Sequence, residues 1–236
     1  LALALSHASG AFASAGTVTV GKAPGETSAL AETSAAQTQA GQSTSGNVVT
    51  AGNSKVSDRP VVLPAADGAA AKADIKQPEV AAEGAVLLNA ATGEVLYGKN
   101  QDQQFYPASI TKVMTALVVL EHCNLNDTVT FSKTATTNLE SGAVALGVSE
   151  GDQLTVEQSL YGLLLKSANE IGNGLAEHVS GSVSAFADLM NTKAKELGCK
   201  NTHFANPHGL NNENHKTTPY DMALILRAAV ANDTFR

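Results

Sequence analysis

Apolar positions fall into a rhythm only beyond about residue 82. Two runs, 85–89 and 94–97, read as strands, and Ala91-Thr92-Gly93 between them reads as a hairpin turn. Two strands alone are marginal, so the hairpin calls for a larger sheet. The spacing next predicts a helix over 109–122. Ile110, Val113, Met114, Leu117, Val118 and Leu120 cover most of its circumference, which predicts burial on nearly all sides. Short strands are expected over 128–131 and 153–156. Thr155 with Gln158 forms a capping-box start for a helix to about Lys166, with Leu160, Leu163 and Leu164 inward. A break at Ser167-Ala168-Asn169 leads into a helix to about Val179. Another runs from the Gly181–Ser184 region to Gly198, lined by Phe186, Leu189, Met190 and Leu197. Thr218-Pro219 opens a last helix with Met222, Ile225, Leu226 and Ala229 inward.

Before this region the pattern is different. Residues 16–81 are mostly Ala, Ser, Thr, Gly and Gln with scattered prolines. Such a segment buries too little surface to offset its ordering entropy, so it reads as a flexible tether. Residues 1–15 open on Leu1-Ala2-Leu3-Ala4-Leu5 and reach small-residue triplets around Ala13, the order expected of the back half of a secretory leader. The organisation expected is therefore a partial signal peptide (1–15), a tether (16–81) and a catalytic domain (82–236). The longest apolar run in the ordered part, 113–120, is far short of the ~18 residues of a membrane span.

Composition narrows the function. The 236 residues carry a net charge of −7, and no basic run or aromatic-basic interleaving is present, which argues against nucleic acid as a partner. Tryptophan is absent, so the core must be mainly aliphatic. Cys123 and Cys199 match no metal spacing; in an exported protein they could pair, and the sequence leaves that open. His203, His208, His215 and Glu213 share one loop, but their spacing fits no standard zinc pattern and loop histidines are more often polar surface residues. No cofactor is implied. There is no Gly-x-Ser-x-Gly elbow, phosphate loop or Cys-x-x-Cys.

One stretch carries chemistry. Ser109 and Lys112 are three apart at the start of the apolar helix, so they share a face. Burial lowers a lysine pKa, and a neutral amine can take the serine proton. The only Ser-x-x-Lys of the chain gains a partner in Ser167-Ala168-Asn169: a second hydroxyl to relay a proton, and an amide to orient Lys112 and bind a substrate carbonyl.

Together, Pro107-Ala108-Ser109-Ile110-Thr111-Lys112, the run Gly162 to Asn169, Leu87 to Leu96 and Asn206-Pro207-His208-Gly209-Leu210 resemble the serine D-alanyl-D-alanine carboxypeptidases, low-molecular-mass penicillin-binding proteins. The resemblance covers residues 83–236. It implies an α/β (α+β) fold of the β-lactamase/transpeptidase type: an antiparallel sheet flanked by helices, paired with a mostly helical region. It implies Ser109 as nucleophile, Lys112 as general base, Ser167 as relay and Asn169 as the residue orienting Lys112 and substrate. Peptidoglycan stem peptides would be the substrate and β-lactams covalent inhibitors, outside the cytoplasm, with membrane anchoring through a segment beyond Arg236 admitted.

The family's Lys-Thr-Gly strand has no counterpart; the sequence offers only Lys133-Thr134-Ala135 and Lys216-Thr217-Thr218. This predicts a chain cut inside its domain, with the late sheet strands missing. The Ser109 N–H is then the only oxyanion donor that can be placed, and the isolated chain is expected to be unstable and nearly inactive. A β-lactamase of related fold fits less well, because its second motif is Ser-Asp-Asn and no glutamate motif for deacylation is found. A sensor that acylates without turnover is the competitor of another class.

Overall fold

A computed structural model describes residues 78–137 and 139–236, together with the backbone of Ala2–Leu5. Ala2–Leu5 (β1), Gly84–Leu88 (β2) and Val95–Lys99 (β3) form an antiparallel sheet in the order β1-β2-β3. β1 lies within residues 1–15, expected to be part of a leader; the rest of that stretch and residues 16–77 of the expected tether fall outside the described residues. Ala2 stands opposite Leu87 and Leu5 opposite Gly84, so the hairpin has the third strand that its marginal stability calls for. The register of β2 on β3 shifts between Leu87 and Leu88.

The hairpin turn is held from inside and outside. The Asn89 Oδ1 accepts from the amides of Ala91 and Thr92, and Gly93 takes the positive φ of 80° that closes the turn. The buried Arg227 guanidinium donates to the carbonyls of Ala90 (2.7 Å) and Ala91 (3.1 Å). Arg227 belongs to Pro219–Ala231 (α6), which also packs Ala223 and Leu224 on Val86, Leu88 and Val95. One helix thus covers one face of the sheet and pins its turn.

The remaining helices surround Thr111–His122 (α1). A 3₁₀ turn, Ala108–Ile110, leads into it, so Ser109 sits just outside the α-helix rather than in its first turn. The i to i+3 relation to Lys112 survives because the two helix types join without a break. Eight α1 residues are buried, from Thr111 to Val119, as expected for a helix with so little polar circumference. Thr128–Thr130 (β4) pairs antiparallel with Gln153–Thr155 (β5). Lys133–Thr137 (α2) was not foreseen: it has only Ala135 buried, and what starts it is the Ser132 hydroxyl accepting from the Ala135 amide.

Val156–Leu165 (α3) begins with the capping box foreseen, Thr155 and Gln158 each bonding the other's amide. Val156, Leu160 and Leu163 turn inward, whereas Leu164, expected beside them, is exposed; the buried stripe centres on 156, 159, 160 and 163. Asn169–Ser180 (α4) and Val183–Glu196 (α5) complete the set, with Gly181 and Gly198 left-handed at their ends. Their core joins Met114, Leu117, Leu163, Ile171, Leu175, Phe186, Met190, Met222 and Ile225 and is mainly aliphatic. Both cysteines are free.

Candidate active site

α1 carries Lys112 one turn inside the helical core, at 2 % exposure. An ammonium there must spend all three N–H groups on partners. It does: Nζ donates to Ser109 Oγ (3.2 Å), Asn169 Oδ1 (2.9 Å) and the His208 carbonyl (2.8 Å). Burial lowers its pKa from about 10.5 to about 8, partly opposed by the negative charge of Glu170.

The orientation of Asn169 is fixed by its other end. Its Nδ2 donates to the Val144 carbonyl (2.9 Å), which can only accept, so Oδ1 must face Lys112. Two of the three lysine partners are therefore pure acceptors. When Nζ loses a proton it still donates to Asn169 and His208, and its lone pair is left facing Ser109. The Ser109 hydroxyl is the one partner able to donate back. On its other side, Ser109 Oγ accepts from Ser167 Oγ at 2.9 Å. The structure thus brings together all four residues singled out in the sequence, with Ser109 at the exposed rim and Lys112 beneath it.

Strained backbone holds this arrangement. Ala108 (φ 49°) and Ser167 (φ 61°) both have left-handed conformations that cost a non-glycine residue about 1–3 kcal/mol. The two serine hydroxyls that meet are thus each carried by, or next to, a strained residue. Gly209 (φ 87°) lies against the Ala108 carbonyl, where a Cβ would overlap it. The peptide preceding Ser109 is therefore wedged by the 206–210 loop.

That loop was recognised only by resemblance, and its physical role is now plain. Asn206 Oδ1 accepts from the amides of His208 (3.3 Å) and Gly209 (2.7 Å), which presents the His208 carbonyl to Lys112. Thr115 Oγ1 donates to the Pro207 carbonyl at 2.6 Å, one turn along α1. The loop histidines, expected at the surface, are buried in two cases. His215 Nδ1 accepts from the Ala205 amide, so its Nε2–H donates to Thr111 Oγ1 at 2.8 Å. Burial pushes His215 down to about 4, and burial together with the Lys112 charge pushes His208 down to about 3. Both are neutral near pH 7, as a site beside a cation requires. His203 remains exposed.

Sequence reasoning passed over Glu170. Its carboxylate is buried at the start of α4. Oε1 accepts from the amides of Leu146 (2.5 Å) and Gly147 (2.9 Å), while Oε2 has no hydrogen-bond partner among the described residues. Asn169 holds Val144 through both its amide and its side chain. The dipeptide after Ala168 therefore fixes the 144–147 segment as well as Lys112. The sequence shows only an acid directly after a candidate Ser-x-Asn, and nothing in it marks that acid as buried.

The two Lys-Thr pairs lie elsewhere. Lys133 and Thr134 are in α2; Thr217 is buried, bridging to Phe105 and bonding Thr202 Oγ1 at 2.7 Å, and Lys216 lies 5.6 Å from the Tyr106 ring centre. A cleft of about 510 Å³ reaches His208 and Asn206 from the α4 side, and none of Ser109, Lys112, Ser167 or Asn169 lines it.

The D-alanyl-D-alanine carboxypeptidase profile of peptidase family S11 matches residues 71–235. D-alanyl-D-alanine carboxypeptidase DacF of Bacillus subtilis is 39 % identical over 175 residues, which are 71 % of this chain and 44 % of that protein. The D-alanyl-D-alanine carboxypeptidase of Streptomyces sp. strain K15 is 37 % identical over 178 residues, 72 % of this chain and 61 % of that one. Among solved structures, penicillin binding protein 6B from Escherichia coli superposes with a TM-score of 0.66 at 30 % identity, covering 71 % of this chain and 56 % of that one. The chain spans less than two thirds of the length of these relatives. With a matched profile over most of its length and these structural neighbours, the chain belongs to the D-alanyl-D-alanine carboxypeptidase family, peptidase S11, and has the fold of the penicillin-binding proteins.

Proposed function

We propose that this chain carries the acylating centre of a serine-type D-Ala-D-Ala carboxypeptidase, with Ser109 as nucleophile, Lys112 as general base, Ser167 as proton relay and Asn169 as the residue orienting Lys112 and the substrate. The observation that carries the reading is the partnering of Lys112: two pure acceptors and one hydroxyl, so that its deprotonated lone pair has only Ser109 to face.

In this reading neutral Lys112 takes the Ser109 proton as Oγ attacks the carbonyl carbon of the penultimate D-alanine of a stem peptide. The Ser109 N–H receives the developing oxyanion. As the C–N bond breaks, Lys112 gives its proton up by way of the Ser167 hydroxyl, which passes its own proton to the departing amine nitrogen of D-alanine. An ester on Ser109 remains. Water attacks it, Lys112 takes the water proton, and the proton returns to Ser109 Oγ as the shortened peptide leaves. A β-lactam meets the same serine, but its broken amide stays tethered to the acyl group, so the leaving amine cannot depart. Peptidoglycan as substrate places the protein outside the cytoplasm. Among the described residues no helix is long and apolar enough to cross a membrane.

D-alanine release from a stem-peptide mimic ending in D-Ala-D-Ala tests the reaction. In a protein that joins this chain to the Lys-Thr-Gly strand, release by the wild type and none by Ser109→Ala supports it. Penicillin labelling without D-alanine release would instead identify a binding sensor. Release that persists in Ser109→Ala overturns the nucleophile.

A further inference from the structure

At the end of α1 remote from Lys112, three ligand-type side chains meet. Cys123 is the C-cap of α1, Asp127 lies four residues on in the loop to β4, and His178 is in the last turn of α4. The Cys123 sulfur, an Asp127 carboxylate oxygen and a His178 ring nitrogen all lie within 4.8 Å of one another. Cys123 and Asp127 are half-buried, and His178 is exposed.

Tetrahedral zinc, with Zn–S of about 2.3 Å and Zn–N of about 2.0–2.1 Å, sets its donors roughly 3.3–3.8 Å apart. The observed triangle needs to close by about 1.5 Å at most, and rotation of the exposed His178 side chain shortens its own two distances. Electrostatics favours a cation here. The partial negative ends of both α1 and α4 converge on the cluster. The Asp127 carboxylate is already oriented: the Asn124 amide donates to its Oδ2 at 2.8 Å, and the Asp127 amide donates back to the Asn124 carbonyl at 3.1 Å. A half-buried cysteine packed at the core edge explains Cys123 alone. It does not explain a carboxylate and an imidazole converging on the same sulfur.

We propose that Cys123, Asp127 and His178 bind one divalent ion of the zinc class, leaving a fourth position open to water and tying the ends of α1 and α4 together. A thiolate, an imidazole and a carboxylate favour such a borderline ion over magnesium or calcium, which prefer all-oxygen shells. Burial and the Asp127 charge hold the Cys123 thiol above its ordinary range. The ion must therefore displace a proton when it binds, as metal-bound thiols generally require.

Cobalt(II) titration of the metal-free protein tests this. One equivalent should produce a thiolate-to-cobalt charge-transfer band that zinc(II) then abolishes. Cys123→Ser should remove the band. His178→Gln and Asp127→Asn should each weaken binding by about tenfold or more. His178 is exposed, so its variant keeps the fold, which far-ultraviolet circular dichroism checks. Failure to bind stoichiometrically, a band unchanged in His178→Gln, or a band retained in Cys123→Ser (which would place the metal on Cys199) overturns the proposal. None of these residues touches Ser109, so the outcome is independent of the proposed reaction.

Discussion

The two halves of α1 are held by different physics. From Ala116 to Val119 the helix is dry, surrounded by Leu163, Ile171, Leu175, Met190 and Ile225. Between Thr111 and Thr115 every buried polar side chain has a named partner on a loop: Thr111 on His215, Lys112 on His208, Thr115 on Pro207. The dry half, Ala116 to Val119, gains stability from burial, at roughly 25 cal/mol for each Å² of apolar surface removed from water. The polar half, Thr111 to Thr115, gives some of that stability up. Desolvating Lys112 from a pKa of about 10.5 to about 8 corresponds to a penalty of roughly 3 kcal/mol at neutral pH, and two backbone positions beside it are strained. One helix thus anchors the core at one end and keeps a reactive group under tension at the other.

Substitutions should separate the two halves. The largest effect is expected at the rim. Ser109→Ala should abolish acylation, a fall of about 10⁴-fold or more, while thermal melting stays within about 0.5 kcal/mol because Ser109 is exposed. A large loss of stability would mean the serine is structural. Leu117→Ala in the dry half should do the opposite. It should cost about 2–5 kcal/mol by denaturant unfolding, with the acylation rate of the folded fraction little changed. A rate loss matching that of the rim would erase the distinction.

The third effect concerns acid. Between pH 6.5 and about 4 the unfolded chain protonates its histidines while buried His215 stays neutral, and His208 stays neutral to about 3. The unfolded state then binds more protons, so stability must fall as pH drops below about 6.5. His215→Asn should flatten that slope in unfolding measured from pH 7 to 4. The Lys112 penalty is present in full below about pH 8 and is relieved as pH rises from about 8 towards 10.5. The smallest effect is a shift in profile. Glu170 opposes the lowering of the Lys112 pKa, so Glu170→Gln should move the basic-form limb of the acylation profile to lower pH. A limb that moves up or stays put would remove Glu170 from the electrostatics of the site.

The same contrast explains what could be read from sequence. The dry half of α1, the capping box of α3 and Pro219 at the start of α6 follow from periodicity and local hydrogen bonding, and they are found where expected to within a residue or two. Ser109 and Lys112 were legible because three residues on a helix share a face. Their junction with Ser167 and Asn169, 58 residues from Ser109 and 57 from Lys112, follows from no local rule; it rests on the hydroxyl and amide that the chemistry needs, and the resemblance to a family then implies the same roles. The His208 carbonyl, the Glu170 clamp on Leu146 and Gly147, and the burial of His215 were not legible. Backbone carbonyls carry no side-chain signature, and a loop without periodicity gives no sign of which face it turns inward. α2 was missed for a related reason, since a single buried alanine makes no pattern.

The central claim is that Lys112 activates Ser109 in particular. Its most direct test is to react the protein with a penicillin, digest it and locate the adduct by mass spectrometry, at several pH values. A single adduct on the peptide bearing Ser109, formed with a rate that climbs as pH passes about 8 and lost in Lys112→Met, is the predicted result. An adduct on another residue, or one formed on Ser109 at the same rate in Lys112→Met, would contradict it.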